Sequence, residues 1–519
     1  MGFELAPFRD IPLTPAFLEF LIAEHEHARL PRLQRLWSYY RNALASPDAA
    51  GGSGGPPAQH VGLPARLTGK RKPRDDDRFA REIVIENDVA WRVNTLVDFM
   101  FPEPPKLISR AADPTTRLEI EALLAAIIDA NGGVALWQTA AMLASVHGSV
   151  DFLIAVESLP HGAAPHNRAT RPGRASDGAS PGEVPSNPSI ADVAARVAPQ
   201  VSIETVEAPR AIPILNRDDY RRLDGHVLHF EQPVNDVRQA SMFNRISRRV
   251  LGRTGTAGEQ ASVTVTEIRS AGHVQRYEDG RLVFESVNPL GRLPIVHIQN
   301  LSQPFVYDGL SDVEPLVPLQ DELNTRLSDR ANRVTMQSFR MWLGKGIDNF
   351  NDRPIGPGQM WTTDNLDASI ESFGGDADSP SEKAHIEELR EALDKASGVT
   401  PAAAGHIKAR IGNLTSENAL RISLMGTVAK IKRKRITFGA GIRRLCDLLL
   451  DAMDVHGLYR TRPGDRGIDI AWADPLPPDE TRRIEDALAK AQLGVPLAEL
   501  RAELGYADGG NAETRKAEG

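Results

Sequence analysis

The 519-residue chain has a single cysteine, Cys446. One cysteine excludes a disulfide framework and any cysteine-based zinc site. It lies in the apolar run Leu445-Cys446-Asp447-Leu448-Leu449-Leu450, where a thiol serves as a small buried hydrophobe. No apolar run reaches the roughly 20 residues that a bilayer crossing needs. Met1-Gly2-Phe3-Glu4 is not a basic segment followed by an apolar one, so neither a membrane partner nor a secretory signal is expected. A phosphate-binding Gly-x-x-x-x-Gly-Lys-[Ser/Thr] loop is missing: Gly344-Lys345-Gly346 lacks the preceding glycine. His-Glu-x-x-His is missing too, and no repeat recurs at a solenoid period. An excess of positive charge is also lacking. The net charge is -8, so the chain as a whole is not a basic nucleic-acid binder, and any contact with DNA must be local. No cofactor, metal centre or enzymatic activity is expected.

What is present is ordinary for a packed soluble fold: 41% hydrophobic and 25% charged residues. The length suggests roughly two to four domains or one elaborated fold. Helical periodicity runs over 14–46 through Phe17, Phe20, Leu21, Leu30, Leu33 and Leu36. Residues 46–78 hold Gly-Gly-Ser-Gly-Gly-Pro-Pro, a basic stretch and Asp75-Asp76-Asp77, and read as a solvated loop. Helices are expected over 87–100, 115–130 and 135–147, the first stopped by Phe101-Pro102-Glu103-Pro104-Pro105. Val150–Val156 reads as a buried strand. Residues 158–199, rich in Pro, Gly, Ala and Ser, read as an insertion too poor in apolar area to order fully.

Strand patterns resume at Val201 and continue through 226–231 and 262–268. They end in a hairpin, 274–284, turned at Asp279-Gly280. Beyond about residue 310 the pattern is mostly helical: 311–340, 382–396, and a very long helix from Ser416 to His456 with Gly457 past its end. A last helical pair, 479–492 and 497–504, is joined at Leu493-Gly494-Val495-Pro496.

Candidate chemistry is sparse. His147-Gly148-Ser149-Val150-Asp151 reads as a helix end with Gly148 as its cap rather than as a catalytic cluster. Asp308, Asp312 and Glu314 are placed to complement the dipole of the helix that follows. Lys430, Lys432, Arg433, Lys434 and Arg435 fall within six residues and cover nearly every face of one helix. They suit phosphate contact, inter-subunit ion pairs or an exposed face. His406, Lys408 and Arg410 lie in a loop of small residues, 398–412, where Lys and Arg can touch a phosphate backbone without reading sequence.

These pieces resemble the portal (head-to-tail connector) proteins of long-tailed double-stranded DNA phages. The resemblance is carried by Trp37-x-Tyr39-Tyr40, Ile85-x-Asn87-Asp88, Ile128-Asp129-Ala130-Asn131, Val146-His147-Gly148-Ser149-Val150-Asp151, Asn288-Pro289-Leu290-Gly291-x-x-Pro294-Ile295-Val296, Gly309-Leu310-Ser311-Asp312-Val313, Asp321-Glu322-Leu323-Asn324 and Gly412-Asn413-Leu414-Thr415-Ser416. It implies an α+β portal fold: an α/β wing over 1–307 with the insertion 158–199, a stem helix over 308–340 and a small β-containing clip over 341–379. A second stem helix (380–397), a tunnel loop (398–414), a long wing helix with its return (415–477), and a short crown and tail (478–519) would follow.

The resemblance further implies a homo-oligomeric ring of about twelve subunits at one capsid vertex. The ring would pass double-stranded DNA and contact the major capsid protein, scaffolding protein, terminase large subunit and head-tail adaptor. It assigns His406, Lys408 and Arg410 to the DNA-facing loop. It assigns Trp342, Lys345, Asp348, Arg353 and Trp361 to the clip that docks partners. Another virion structural protein, such as a minor head protein, or a DNA-packaging enzyme is the alternative.

Overall fold

The computed structural model describes residues 5, 8, 10–42, 83–156, 190–233, 262–338, 341–346, 365–373, 380–404, 423–475, 480–497, 500–501 and 504. The chain divides into two units, 1–471 and 472–519.

The first unit opens with α1 (Pro15–Glu24) and α2 (Leu30–Arg41), joined without a break by a π-helical turn, His25–Arg29. Thr14 caps α1, its hydroxyl accepting from Phe17 N at 3.2 Å. Asn42, in the left-handed region, ends α2. Then come α3 (Ala90–Met100), β1 (Lys106–Ser109), α4 (Pro114–Ala130), α5 (Val134–His147) and β2 (Ser149–Val156). Asn87 starts α3 by accepting from Val89 N and Ala90 N. After residues outside the description come α6 (Ile190–Val197), β3 (Val201–Glu207), β4 (Ala211–Leu215), β5 (Leu223–Pro233), β6 (Ser262–Ser270), β7 (His273–Glu278), β8 (Arg281–Val287) and β9 (Ile295–Gln299). The α6 helix lies inside 158–199, where little order was expected. Ala194 and Val197 give it a buried face against α4, which the Pro- and Gly-rich composition of the wider segment hides.

Two antiparallel sheets form the body. One has the order β3-β2-β9; the other is the meander β4-β5-β6-β7-β8. The expected hairpin is β7-β8, with Asp279 and Gly280 both at positive φ, as a tight two-residue turn requires. Leu18 and Ile22 of α1, with Phe8, Ile11 and Leu13, pack on Ile212, Ile214, Val227, Ile268 and Tyr277 of the meander. A second nucleus stacks Phe101 on Trp137 at 6.2 Å, with Phe438 and Phe152 edge-on.

The helical half follows. α7 (Val317–Ser338) and α8 (Pro380–Ser397) pack together, Arg333 pairing with Glu382. Between them β10 (Met341–Lys345) pairs antiparallel with β11 (Ser369–Phe373). α9 is described from Met425 to Val455 and ends at Gly457, φ 69°. The expected start at Thr415-Ser416 lies outside the described residues. β12 (Ile468–Ala471) returns to pair with β1, a contact the sequence pattern does not announce. In the second unit, α10 (Glu480–Gln492) ends at Gly494, φ 90°.

Candidate functional site: an ionic hub at the root of the 398–414 segment

The hub begins with two glycines. Gly148 closes α5 in the left-handed region, its N–H donating to Ala144 O at 2.7 Å. The bend Gly309-Leu310-Ser311-Asp312 lies against that helix end. Asp312 N donates to Ser145 O (2.8 Å), and the Ser311 hydroxyl donates to Val146 O (2.6 Å). Ser311 Oγ also accepts from Val313 N at 3.0 Å, capping the 3-10 turn Glu314–Leu316 that leads into α7. Side-chain capping and a glycine contact thus fix where α7 starts.

The Asp312 carboxylate is buried at that point and meets two lysines of α9. Lys434 Nζ lies 2.5 Å from Oδ2 and Lys430 Nζ 2.7 Å from Oδ1. Asn300 Nδ2 donates to Oδ2 at 2.9 Å. Burial acts to raise the Asp312 pKa, but the two ammonium groups outweigh it and hold the carboxyl well below its usual range. Burial pushes the Lys434 pKa down, opposed by Asp312. Two lysines on one carboxylate leave a net positive charge, which neighbouring oxygens solvate. Lys434 donates to Ser145 Oγ (2.7 Å) and Lys430 to Ser397 O (2.6 Å).

Ser397 is the last residue of α8, and the 398–414 segment leaves from it. Gly398, φ 69°, turns the chain, and its carbonyl accepts from Thr427 Oγ1 at 2.9 Å. From α3, Arg92 Nη1 donates to Asp394 Oδ1 (2.6 Å), Ser397 Oγ (3.2 Å) and Val399 O (2.8 Å). The root of the segment is therefore held by α3 and α9 together. Lys430, bonded to both Ser397 O and Asp312, ties it to the start of α7. The hub positions backbone; it contains no activated nucleophile. Cys446 is buried, its thiol pushed up to about 12, and among the described residues no cluster of His, Cys, Asp and Glu is placed to hold a metal.

The structure divides the five basic residues of α9. Lys430 and Lys434 point inward to Asp312. Arg435 is half-buried and donates to Met100 O at 3.2 Å and Phe99 O at 3.4 Å. Lys432 and Arg433 are exposed, so any surface role of this cluster narrows to them. His406, Lys408 and Arg410 lie outside the described residues, as do Asp348, Arg353, Trp361 and Asp75-Asp76-Asp77. Trp342 sits on β10, its side chain outside the description. Lys345 is exposed and pairs with Glu371 at 3.2 Å.

The acids expected to serve a helix dipole instead take side-chain cations. Asp308 takes Arg29 (2.6 Å), Glu314 takes Arg32 (2.6 Å), and Asp312 takes the lysines. All three precede Val317, the first α-helical residue, and the cations of the π-helical turn, α2 and α9 reach them first.

The sequence pattern also missed a buried polar ladder on α7. Gln320, Asn324 and Ser328 are fully buried at four-residue spacing. Their side chains accept from Asp88 N (3.2 Å), Glu86 N (3.0 Å) and Val84 N (2.9 Å), and Gln320 Nε2 donates to Glu86 O (2.6 Å). An extended segment is thus hydrogen-bonded to a helix face as though to a strand. The Gln-x-x-x-Asn-x-x-x-Ser spacing is the signal that could have found it.

Residues 199–518 match the family model described as phage portal protein, SPP1 Gp6-like. No curated protein matches. Among solved structures, the chain is similar to one in the neck of an empty GTA particle computed with C6 symmetry: 12% identity, TM-score 0.42, covering 90% of this chain and 99% of that one. It is also similar to a chain in the virion of a native gene transfer agent (GTA) particle, at 13% identity and TM-score 0.40, covering 86% and 98%.

Proposed function

The chain belongs to the SPP1 Gp6-like phage portal protein family, and from that premise we propose that it is a non-catalytic, ring-forming subunit of the portal vertex. About twelve copies would close a ring at one capsid vertex. The ring would be the channel through which double-stranded DNA is packaged and ejected. Assembly would take place in the host cytoplasm, with scaffolding and major capsid protein as neighbours. Terminase, then a head-tail adaptor, would dock on the clip.

The observation that carries this reading is the span of the family match, 199–518. It takes in α7, the β10-β11 tip, α8, the segment leaving Ser397 and α9. In this reading α7 and α8 form the stem, β10-β11 belongs to the clip, and 398–414 is the tunnel loop. The hub supports the assignment physically. A loop that touches moving DNA needs a root that does not move, and Arg92, Thr427 and Lys430 supply one. The net charge of -8 suits a conduit that must not grip phosphates. Local cations act only within a screening length of about 10 Å at moderate salt.

Native mass spectrometry of the purified chain, with negative-stain images of the same sample, tests the proposal. Closed rings of about twelve subunits with a bore wide enough for duplex DNA are expected. A stable monomer or dimer at high concentration would overturn it, and so would ATPase or nuclease activity in the pure protein.

A further inference from the structure

β9 is an outer strand, and its free edge opens into a groove. Among the described residues it pairs with β2 alone, in the order β3-β2-β9. Two bonds fix the phase of that ladder: Ile154 N donates to Pro294 O (3.0 Å) and Asn300 N to Gly148 O (2.8 Å). The strand period is two, so Val296 and Ile298 also turn their backbone groups toward β2. The N–H and C=O groups of Ile295, His297 and Gln299 therefore point the other way. Of these six, His297 O accepts from Arg444 Nη2 at 3.3 Å. The other five have no hydrogen-bond partner among the described residues. The opposite edge of the same sheet is closed. On β3, Asn131 accepts from Ile203 N (2.8 Å) and donates to Val201 O (2.9 Å).

Beside the β9 edge lies a cavity of about 570 Å³. Ile436, Ala440, Arg444 and Leu448, spaced four apart on α9, form one wall. The turn between β4 and β5 adds Tyr220, Arg221, Arg222 and Leu223. Four arginines line this cavity and no carboxylate does. Arg221 is bridged to Asp219 at 3.0 Å, and Arg292 to Asp447 and Asp451 at 3.1 and 3.0 Å. Arg222 and Arg444 have no carboxylate within ion-pair distance among the described residues. Burial pushes the Arg444 pKa down, and Tyr307 rather than an acid opposes this.

We propose that the β9 edge docks an extended acidic peptide segment of another protein, which adds a fourth strand to β3-β2-β9 and sets a carboxylate on Arg444. The edge presents donors and acceptors in alternation at strand spacing, and a second backbone supplies both in return. A phosphate accepts but does not donate, so it would leave Ile295 O and Gln299 O unmet. The charge of the occupant follows from the two arginines without acids. Arg444 reaches the edge at His297, the middle of the strand, so the carboxylate belongs near the centre of the added segment. Ala440 and Leu448 stand one helical turn to either side of Arg444, a distance close to two residues of strand. Apolar residues two before and two after the acid would meet them. From Ile295 to Gln299 the edge runs about 14 Å, the length of a pentapeptide.

The test uses the full chain and the probe acetyl-Val-Asp-Glu-Thr-Val-amide, with amide hydrogen exchange read residue by residue. Saturable slowing of at least fivefold is expected at Ile295, His297 and Gln299. Val296 and Ile298, already bonded to β2, should not change. The counterpart acetyl-Val-Lys-Lys-Thr-Val-amide and inorganic phosphate should give no slowing. Arg444→Gln should raise the half-saturating peptide concentration at least tenfold, and Arg444→Lys should restore part of the loss. No slowing with the acidic peptide, or equal slowing with the lysine peptide or phosphate, overturns the proposal. Slowing by a duplex oligonucleotide but not by the peptide would make the groove a phosphate site, which also overturns it. Amides at the three positions that are slow in rings of the unaltered protein and fast in its monomer would mean that a second copy fills the groove, and that outcome overturns it too. The proposal is independent of the ring reading: peptide protection in a monomeric chain would support it.

Discussion

A β-carbon on Gly309 would lie 2.6 Å from the carbonyl oxygen of Gly148, and one on Gly148 would collide with the Gly309 carbonyl. The obstacle is backbone on both sides and cannot swing away. Gly148 also needs its φ of 97°. Gly148→Ala should therefore cost strain and overlap together, at least about 3 kcal/mol. Gly291 is the control: its φ is 63° and nothing lies within 4 Å, so Gly291→Ala should cost only strain, about 1–2 kcal/mol. Urea unfolding of the two variants measures the gap; equal losses would refute the close-approach account.

Asp312 should be the most sensitive of the hub residues. Asp312→Ala leaves two buried ammonium groups facing each other without their carboxylate, a loss of about 3–5 kcal/mol. Replacing the exposed Lys432 and Arg433 by alanine should change stability by less than about 0.5 kcal/mol. If both sets of variants melt alike, the division of the basic cluster into an inner and an outer pair is wrong.

Asn324→Leu tests the ladder on α7. Leucine keeps asparagine's branched skeleton, with bulkier methyl ends, but leaves Glu86 N without its acceptor and Gln320 Nε2 without one of its two. A loss of about 2–4 kcal/mol is expected, the desolvation cost of one or two orphaned groups. Faster amide exchange at Glu86 than at neighbouring sites would localise the defect. Unchanged exchange there would show that the ladder does not hold the segment.

Elements with a local signal were readable from the sequence, and those defined by distant partners were not. Asp279-Gly280 dictates its own hairpin, and Gly148 and Gly457 end their helices as their conformational freedom predicts. The β1-β12 pair joins Lys106 to Ala471 across most of the chain, and neither four-residue strand carries enough periodicity to announce itself. The basic run on α9 shows the same limit from the other side. Five cations in six residues read as a surface, yet Lys430 and Lys434 share one face, four residues apart, and Asp312 draws that face inward. Spacing reveals which side chains share a face; it does not reveal what lies opposite. The Gly309-Leu310-Ser311-Asp312 motif was legible as a family mark, but its reason, a backbone contact with Gly148 and a carboxylate for two lysines, needed the fold.

His147 gives the chain a pH dependence of definite sign. Its ring is buried, stacked on Trp37 at 5.8 Å. Burial pushes its pKa down to about 4; Glu207 and Asp308 act weakly to raise it and Arg29 to lower it. In the unfolded chain the ring titrates at its ordinary value, 6.5. Between these values the unfolded state binds a proton that the folded state refuses, so acid favours unfolding. The contribution is fully present above pH 6.5 and is lost as pH falls toward 4. A shift of this size corresponds to about 3 kcal/mol across the window. Asp312 and Asp151, both held below the usual carboxylate range, add their own losses only at lower pH. Urea midpoints taken from pH 7 to pH 4 should fall for the unaltered chain and fall less steeply in His147→Leu, which keeps a neutral side chain in place; His25, whose pKa burial also pushes down, retains part of the slope. Parallel curves for the two proteins would mean that another group sets the slope.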